Sequence, residues 1–200
     1  ARRQFAFVDL DGNRYIAIGT DKFLLIYFEG QLYDVTPLKA TLSSCTIATT
    51  SGSAVCSITK ASHGLSAGDI VLLDNVTLPV GTGYANSDFE DKLFQVTSIT
   101  SSSVFTITQS SNATATVSTG GSIDVKPYEQ VGPAEQSYGY GWGIDTWGTG
   151  NWGEAASASD VSLEPGLWSL SNFGEVLVAT IANGKTFTWN AGDAARLTTR

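Results

Sequence analysis

Phe5 to Leu38 reads FAFVDLDGNRYIAIGTDKFLLIYFEGQLYDVTPL, and its rhythm returns where Leu167 to Arg200 reads LWSLSNFGEVLVATIANGKTFTWNAGDAARLTTR. Laid together, Gly12 meets Gly174, Ala17 meets Ala179, Gly30 meets Gly192, Val35 meets Leu197 and Thr36 meets Thr198. A one-residue slip brings Lys22 onto Lys185. Identity is low, but the order of apolar runs and turns is shared. Within the first copy, Gln4 to Asp9 alternates, Asp11-Gly12-Asn13 is a hairpin signal, and Arg14 to Gly19 returns. Lys22 to Phe28 is almost wholly apolar, as in a strand covered on both faces. Glu29-Gly30 then turns into Gln31 to Val35. Four short antiparallel strands in one such unit match the size of a propeller blade, and a repeat of this kind marks a stacked or radial β-array.

Working outward, the stretch from Thr41 to Pro127 has a different texture. Ser and Thr dominate, and strands are expected at Ala54 to Thr59, Asp69 to Leu73, Leu93 to Thr100, Val104 to Thr108, Ala113 to Ser118 and Ser122 to Lys126. Alternation of β-branched and polar residues suits a small barrel or sandwich with one wet face. Asn75 to Asp91 reads as a long, exposed loop. The fold class is therefore all-β: propeller-like antiparallel blades at both ends with an inserted small β-barrel or sandwich domain. The expected divisions are 1–40 for the first blade, 41–127 for the insert, 128–165 for a Gly/Trp-rich linker, and 166–200 for a second, incomplete blade.

Composition agrees. Hydrophobic residues make up 42% and charged residues 15% of the 200, a mixture that folds rather than one that stays disordered. The net charge of −8 comes without a basic patch, which argues against specific nucleic-acid binding. It suits a wall past which DNA slides without sticking. No apolar run approaches membrane-spanning length, so no membrane partner is expected. The chain has no methionine and opens at Ala1, which points to a processed product or an internal piece of a longer protein.

Sites for chemistry are sparse. His63 is the one histidine, and SHGLSAGD reads as a turn feeding a strand, without the nucleophile and acid a catalytic triad needs. Cys45 and Cys56 read as two small buried thiols, with a disulfide as the alternative. DLDGN at Asp9 to Asn13 resembles the start of a calcium loop, but the later acidic ligand is missing, leaving an Asp-Gly hairpin. Glu90 with Asp91, or Asp145 with Glu154, are carboxylate pairs of the type glycoside cleavage uses, set in polar loops where solvated carboxylates are the default. No catalytic, cofactor or metal residue is assigned, and the chain is expected not to be an enzyme.

The compositional anomaly is YGYGWGIDTWGTGNWG, Tyr138 to Gly153, with three Trp, two Tyr and six Gly in sixteen residues. Tyr138, Tyr140, Trp142, Trp147 and Trp152 are the candidate interface or ligand-platform residues. They suit an interface strip, a stacking platform for sugars or bases, or a loop tucked onto a sheet by its rings.

Three pieces resemble a group of tailed-bacteriophage virion proteins: RYIAIGTDKFLLIYFEGQLYDVTPL, the Gly/aromatic spacer just quoted, and LWSLSNFGEVLVATIANGKTFTWN. The segments ASHGLSAGDIVLLDNV and FQVTSITSSSVFTIT are similar to a small β module spliced into phage tail proteins. The resemblance implies a virion location and a structural tail or neck component. Such a hub, nozzle or adaptor is built partly from propeller blades and forms a homo-oligomeric ring around the DNA exit channel with other virion proteins. It brings no catalytic residues and no cofactor. The alternative reading is a receptor- or carbohydrate-binding, tail-fibre-like module using the Trp/Tyr strip; a polysaccharide-degrading virion enzyme is a third.

Overall fold

The computed structural model describes residues 3–132, 166–182 and 184–192. They are all-β apart from one 3-10 turn at Asn86–Asp88. The chain divides into two compact units, one made of residues 1–35 with 130–199 and the other of residues 36–129.

The first unit holds two antiparallel meanders. Strands β1 (Arg3–Val8), β2 (Arg14–Gly19), β3 (Leu24–Phe28) and β4 (Gln31–Asp34) form a sheet in chain order. The other strands of this unit, numbered after those of the second, are β11 (Trp168–Phe173), β12 (Val176–Ile181) and β13 (Thr186–Asn190), and they repeat the order β1–β2–β3. The aligned pairs of the sequence take matching places. Gly12 and Gly174 both stand in the first hairpin turn with positive φ, 88° and 58°, a backbone region that favours glycine. Ala17 and Ala179 are both buried in the middle strand.

Alternation sets the core. Phe7, Tyr15, Ala17, Leu24, Ile26 and Phe28 from the first sheet pack with Trp168, Leu170, Leu177, Ala179, Ile181 and Trp189 from the second. Trp189 stands edge-on to Phe7 and Tyr15, at ring separations of 6.3 and 5.7 Å. The Trp168 indole lies across Gly19, where an added Cβ would sit 2.3 Å from its ring, and its Nε1 donates to the Thr20 carbonyl at 2.9 Å. Glycine at 19 is thus required by a close approach. One expectation changes here. The apolar run predicts a strand covered on both faces, but in β3 Leu24, Ile26 and Phe28 are buried while Tyr27 is exposed.

The second unit is a closed six-stranded barrel. Its strands are β5 (Leu42–Thr49), β6 (Val55–Thr59), β7 (Ile70–Thr77), β8 (Lys92–Ser101), β9 (Val104–Thr108) and β10 (Val117–Pro127). The order around the wall is β10-β5-β6-β9-β8-β7, with β10 pairing both β5 and β7 to close it. Closure leaves no sheet edge among these strands and surrounds a core of side chains. That core includes Ile47, Ile58, Val71, Leu73, Phe89, Phe105, Ile107, Ile123 and Val125.

Two strand expectations need correction. Leu42–Thr49 is a strand beyond those expected, with Cys45, Ile47 and Thr49 pointing inward at alternate positions. Ala113 to Ser118 was read as a strand, but the segment before Val117 is a loop whose Ala113 amide and carbonyl bond to Ser53 and Gly52. From Val117 one long strand runs through Gly120-Gly121, joining this expectation to the one at Ser122 to Lys126. The register shifts there, so the glycines mark a bulge that bends the strand toward both partners. Gly121 has φ 69°, and a Cβ there would meet the Thr77 carbonyl oxygen at 2.3 Å.

Candidate functional site

The chemistry-bearing side chains that the fold brings together lie on the barrel. Asp74 sits on β7, Asp124 and Lys126 on β10, and Glu90 and Asp91 precede β8. Register places Asp74 directly opposite Asp124. Two carboxylates facing each other across a strand pair repel, so cations and donors must separate them. Lys126 does so by an ion pair with Asp74. Asn75 does so by donating its side-chain amide to Asp124 at 2.8 Å and its backbone N–H to Asp74 and Glu90, at 2.8 and 3.1 Å.

Glu90 also accepts from the Val76 amide at 2.7 Å. Asp124 also accepts from the Ser44 amide at 3.0 Å, which ties β5 to the same cluster. One oxygen from each of Asp74, Glu90 and Asp91 lies within 4.8 Å of the others. The hydrogen bond and charge of Lys126, together with the Asn75 backbone N–H, outweigh burial and hold the Asp74 carboxyl below its ordinary value. The arrangement clasps the end of β7, the returning loop and β10. Both Glu90 oxygens accept backbone amides, so its carboxylate belongs to this clasp, and Asp91 joins it through its backbone N–H, which donates to the Leu73 carbonyl at 2.9 Å. The alternative pair Asp145 and Glu154 lies outside the described residues.

The loop between β7 and β8 is less exposed than its composition suggests. Phe89 and Thr82 are buried, Tyr84 donates its hydroxyl to the Ser111 carbonyl at 2.7 Å, and Val80 alone at the tip is fully exposed among its large apolar residues.

His63 is a core residue. Its Nδ1 accepts the Leu65 N–H at 3.0 Å, which leaves Nε2 to donate to the Ser101 carbonyl at 3.0 Å. Its ring stands edge-on to Phe105 at 5.2 Å. With both nitrogens engaged, it serves as a strut. Cys45 and Cys56 are free and buried, and burial pushes both thiols up. Register puts Cys56 opposite Thr49, four residues from Cys45, or about 13 Å along the strand. That distance rules out the disulfide alternative.

Asp9 closes its hairpin. Burial opposes its charge, but the Asn13 amide and side chain, both at 2.8 Å, and the Tyr15 hydroxyl at 3.1 Å outweigh it and hold the carboxyl below its ordinary value. These donors occupy the oxygens a calcium ion would need, in keeping with the plain hairpin. Tyr138, Tyr140, Trp142, Trp147 and Trp152 lie outside the described residues.

No protein-family model and no curated protein matches the chain. Among solved structures it is similar to the phage phi92 endosialidase, at 17% identity and a TM-score of 0.37. The match covers 92% of this chain, which spans 28% of that protein. The expectation that the chain is not an enzyme is withdrawn, because the protein on the other side of this match is one. At that TM-score the likeness transfers neither activity nor substrate.

Proposed function

We propose that the chain is a piece of a virion tail component whose paired meanders are propeller-like blades of a scaffold and whose barrel is a spliced-in module. The observation that carries this reading is the recurrence of one meander before and after a self-closed barrel, with Gly12 and Gly174, and Ala17 and Ala179, in matching places. The barrel interrupts the scaffold without borrowing its core: the two hydrophobic clusters share no residue. The sequence resemblance to tail and neck proteins supplies the setting, with other virion proteins and further copies in a ring as partners. A net charge of −8 suits a surface that passing DNA does not grip.

Quantitative mass spectrometry of purified virions tests the reading. The expected result is this chain's peptides in the tail or neck fraction at several copies per particle. Their absence from intact particles overturns it. Binding of the isolated protein to host glycans that disappears in Trp142→Ala or Trp147→Ala favours a receptor-binding module instead.

A further inference from the structure

The two-sheet unit has two outer faces, on opposite sides of its shared core, and they differ in texture. On the four-stranded sheet, register sets Ala6 against Ile16, Ile16 against Tyr27, and Tyr27 against Leu32, an apolar row across all four strands. Ile16 is 38% exposed, Tyr27 41% and Leu32 58%. Val8 borders the row on one side, and the paired Ile18 and Leu25 border it on the other. The row is uneven. Tyr27 and Leu32 stand up from it, while Ala6 leaves a dent between Gln4 and Val8 on the edge strand. A contiguous apolar patch of this kind marks a contact surface.

The outer face of the three-stranded sheet is the reverse. Its rows Ser171–Val178–Thr188 and Ser169–Thr180–Thr186 are short side chains, and the last two hydroxyls bond each other at 3.0 Å. One large side chain breaks this flat ground. Phe173, at the end of the edge strand β11, is 83% exposed and stands beside its register partner Val176. No charged residue stands in these rows, so a neighbour can cover them without stranding a charge.

We propose that copies of this chain stack head to tail, the outer face of β1–β4 of one copy on the outer face of β11–β13 of the next. The inference deepens the assembly half of the reading above and rests on it. Two features select this occupant. The first is shape. Stacked elements pack best with large side chains against small ones, and the inner contact of this unit already does so where the Trp168 indole lies over Gly19. Phe173 fits the dent at Ala6, and Tyr27 and Leu32 fit the short side chains of the facing sheet. Tyr27 lies two strands from Ala6, about 10 Å, while Val178 and Thr188 lie about 8 and about 12 Å from Phe173. With Phe173 on Ala6, the Tyr27 ring comes down beside those two at the roughly 30° crossing of stacked sheets. Two copies of the Tyr27 face would bring bulk against bulk. The second feature is size. The β1–β4 face measures about 19 by 17 Å, or about 320 Å² in plan, small beside the roughly 800 Å² per partner of a stable pair. A lone contact does not secure two copies, whereas a heterologous contact repeats on both sides of every copy and gains by closing into a ring.

Cross-linking of the whole chain tests this. Ile16 pairs Ala6 and Val176 pairs Phe173, so Ile16 and Val176 meet between copies while lying on opposite sides of any one copy. Cys45 and Cys56 are buried, so introduced thiols alone react. With a short bis-maleimide, the Ile16→Cys/Val176→Cys double variant is expected to give a ladder of dimers, trimers and higher species, and each single variant none. Adding Phe173→Asp is expected to cut the ladder at least about tenfold. Circular dichroism melts report that each variant is folded, and Tyr27→Cys/Thr188→Cys replaces a pair that is not. A folded double variant without a ladder, a single variant that cross-links to itself as readily, or a ladder indifferent to Phe173→Asp overturns the inference. Any of these alongside virions that contain the chain leaves the tail reading standing. A Phe173-dependent ladder from a chain missing from virions sinks the tail reading and keeps the contact.

Discussion

The barrel and the two-sheet unit solve the same problem in opposite ways. Both are built from short antiparallel strands with alternating apolar residues. In the barrel, β10 turns a corner at Gly120-Gly121 and pairs with β5 and β7, so the wall closes and the core is surrounded by its own strands. Its outside is largely Ser and Thr, with hydroxyl pairs such as Thr97 with Thr108 at 2.9 Å. In the other unit the sheets are open. Each buries one face on the other through Tyr15, Trp168 and Trp189, and the four-stranded sheet keeps a second apolar face outside. Closure makes a module that can be inserted anywhere; open sheets make a scaffold that invites further surface.

The contrast can be broken by substitution, because no tryptophan falls within 36–129 while Trp168 and Trp189 stand in the two-sheet core, so a Trp fluorescence transition reports that core and not the barrel. The largest effect is expected for Phe105→Ala, which empties a fully buried site in the barrel. Loss of a core Phe costs about 3–5 kcal/mol. Circular dichroism melts are expected to show an earlier barrel transition while the Trp transition holds; if both shift together, the units do not fold independently.

Gly19→Ala is the counterpart in the open unit. The added methyl drives into the Trp168 ring, and overpacking of this kind costs about 1–3 kcal/mol. Here the Trp transition is expected to move and the barrel transition to stay.

Asp74→Asn is smaller. Its carboxyl is held below the ordinary value mainly by Lys126, and a partly exposed pair contributes up to about 1 kcal/mol. The sign follows from linkage. With the folded value below the unfolded one, the contribution is present above the ordinary aspartate range, near 3.8, and fades as pH falls through the lower folded value. Denaturant titrations at neutral and at acid pH should show the variant less stable than wild type at neutral pH, with the gap shrinking in acid. A gap that widens in acid contradicts the clasp.

The smallest effect concerns the thiols. Cys45 and Cys56 are free and buried, so a reductant is expected to leave both melting transitions unmoved. A thiol reagent should label two groups after unfolding and neither in the native chain. A melt that drops on reduction shows a disulfide and breaks the assigned register of β5 and β6.

Much of the strand pattern was legible because it rests on local chemistry. Gln4 to Asp9, Arg14 to Gly19, Val104 to Thr108 and Val176 to Ile181 alternate or run apolar between turn residues, and each is a strand within a residue or so. Leu42–Thr49 escaped because its outward residues include Ser44 and Thr46 and its inward ones include a Cys and a Thr, which blurs the apolar signal. The Gly pair in β10 misled because a bulge and a loop share the same residues; what separates them is whether partners wait on both sides. The acidic clasp was half visible. Glu90 and Asp91 are neighbours in sequence, but Asp74, Asp124 and Lys126 join them through strand pairing alone.

Alternation, turn glycines and composition were enough by themselves to make this an all-β chain with a meander repeated around a different kind of insert. They act over a few residues, where φ/ψ preference and side-chain period decide. Tertiary structure alone settled that the insert closes into a barrel, that Asp74 and Lys126 meet, that Trp168 needs Gly19, and that β3 covers one face and not two. Each of those depends on residues far apart in the chain, brought together by which strand edge found which partner and which apolar face found a lid.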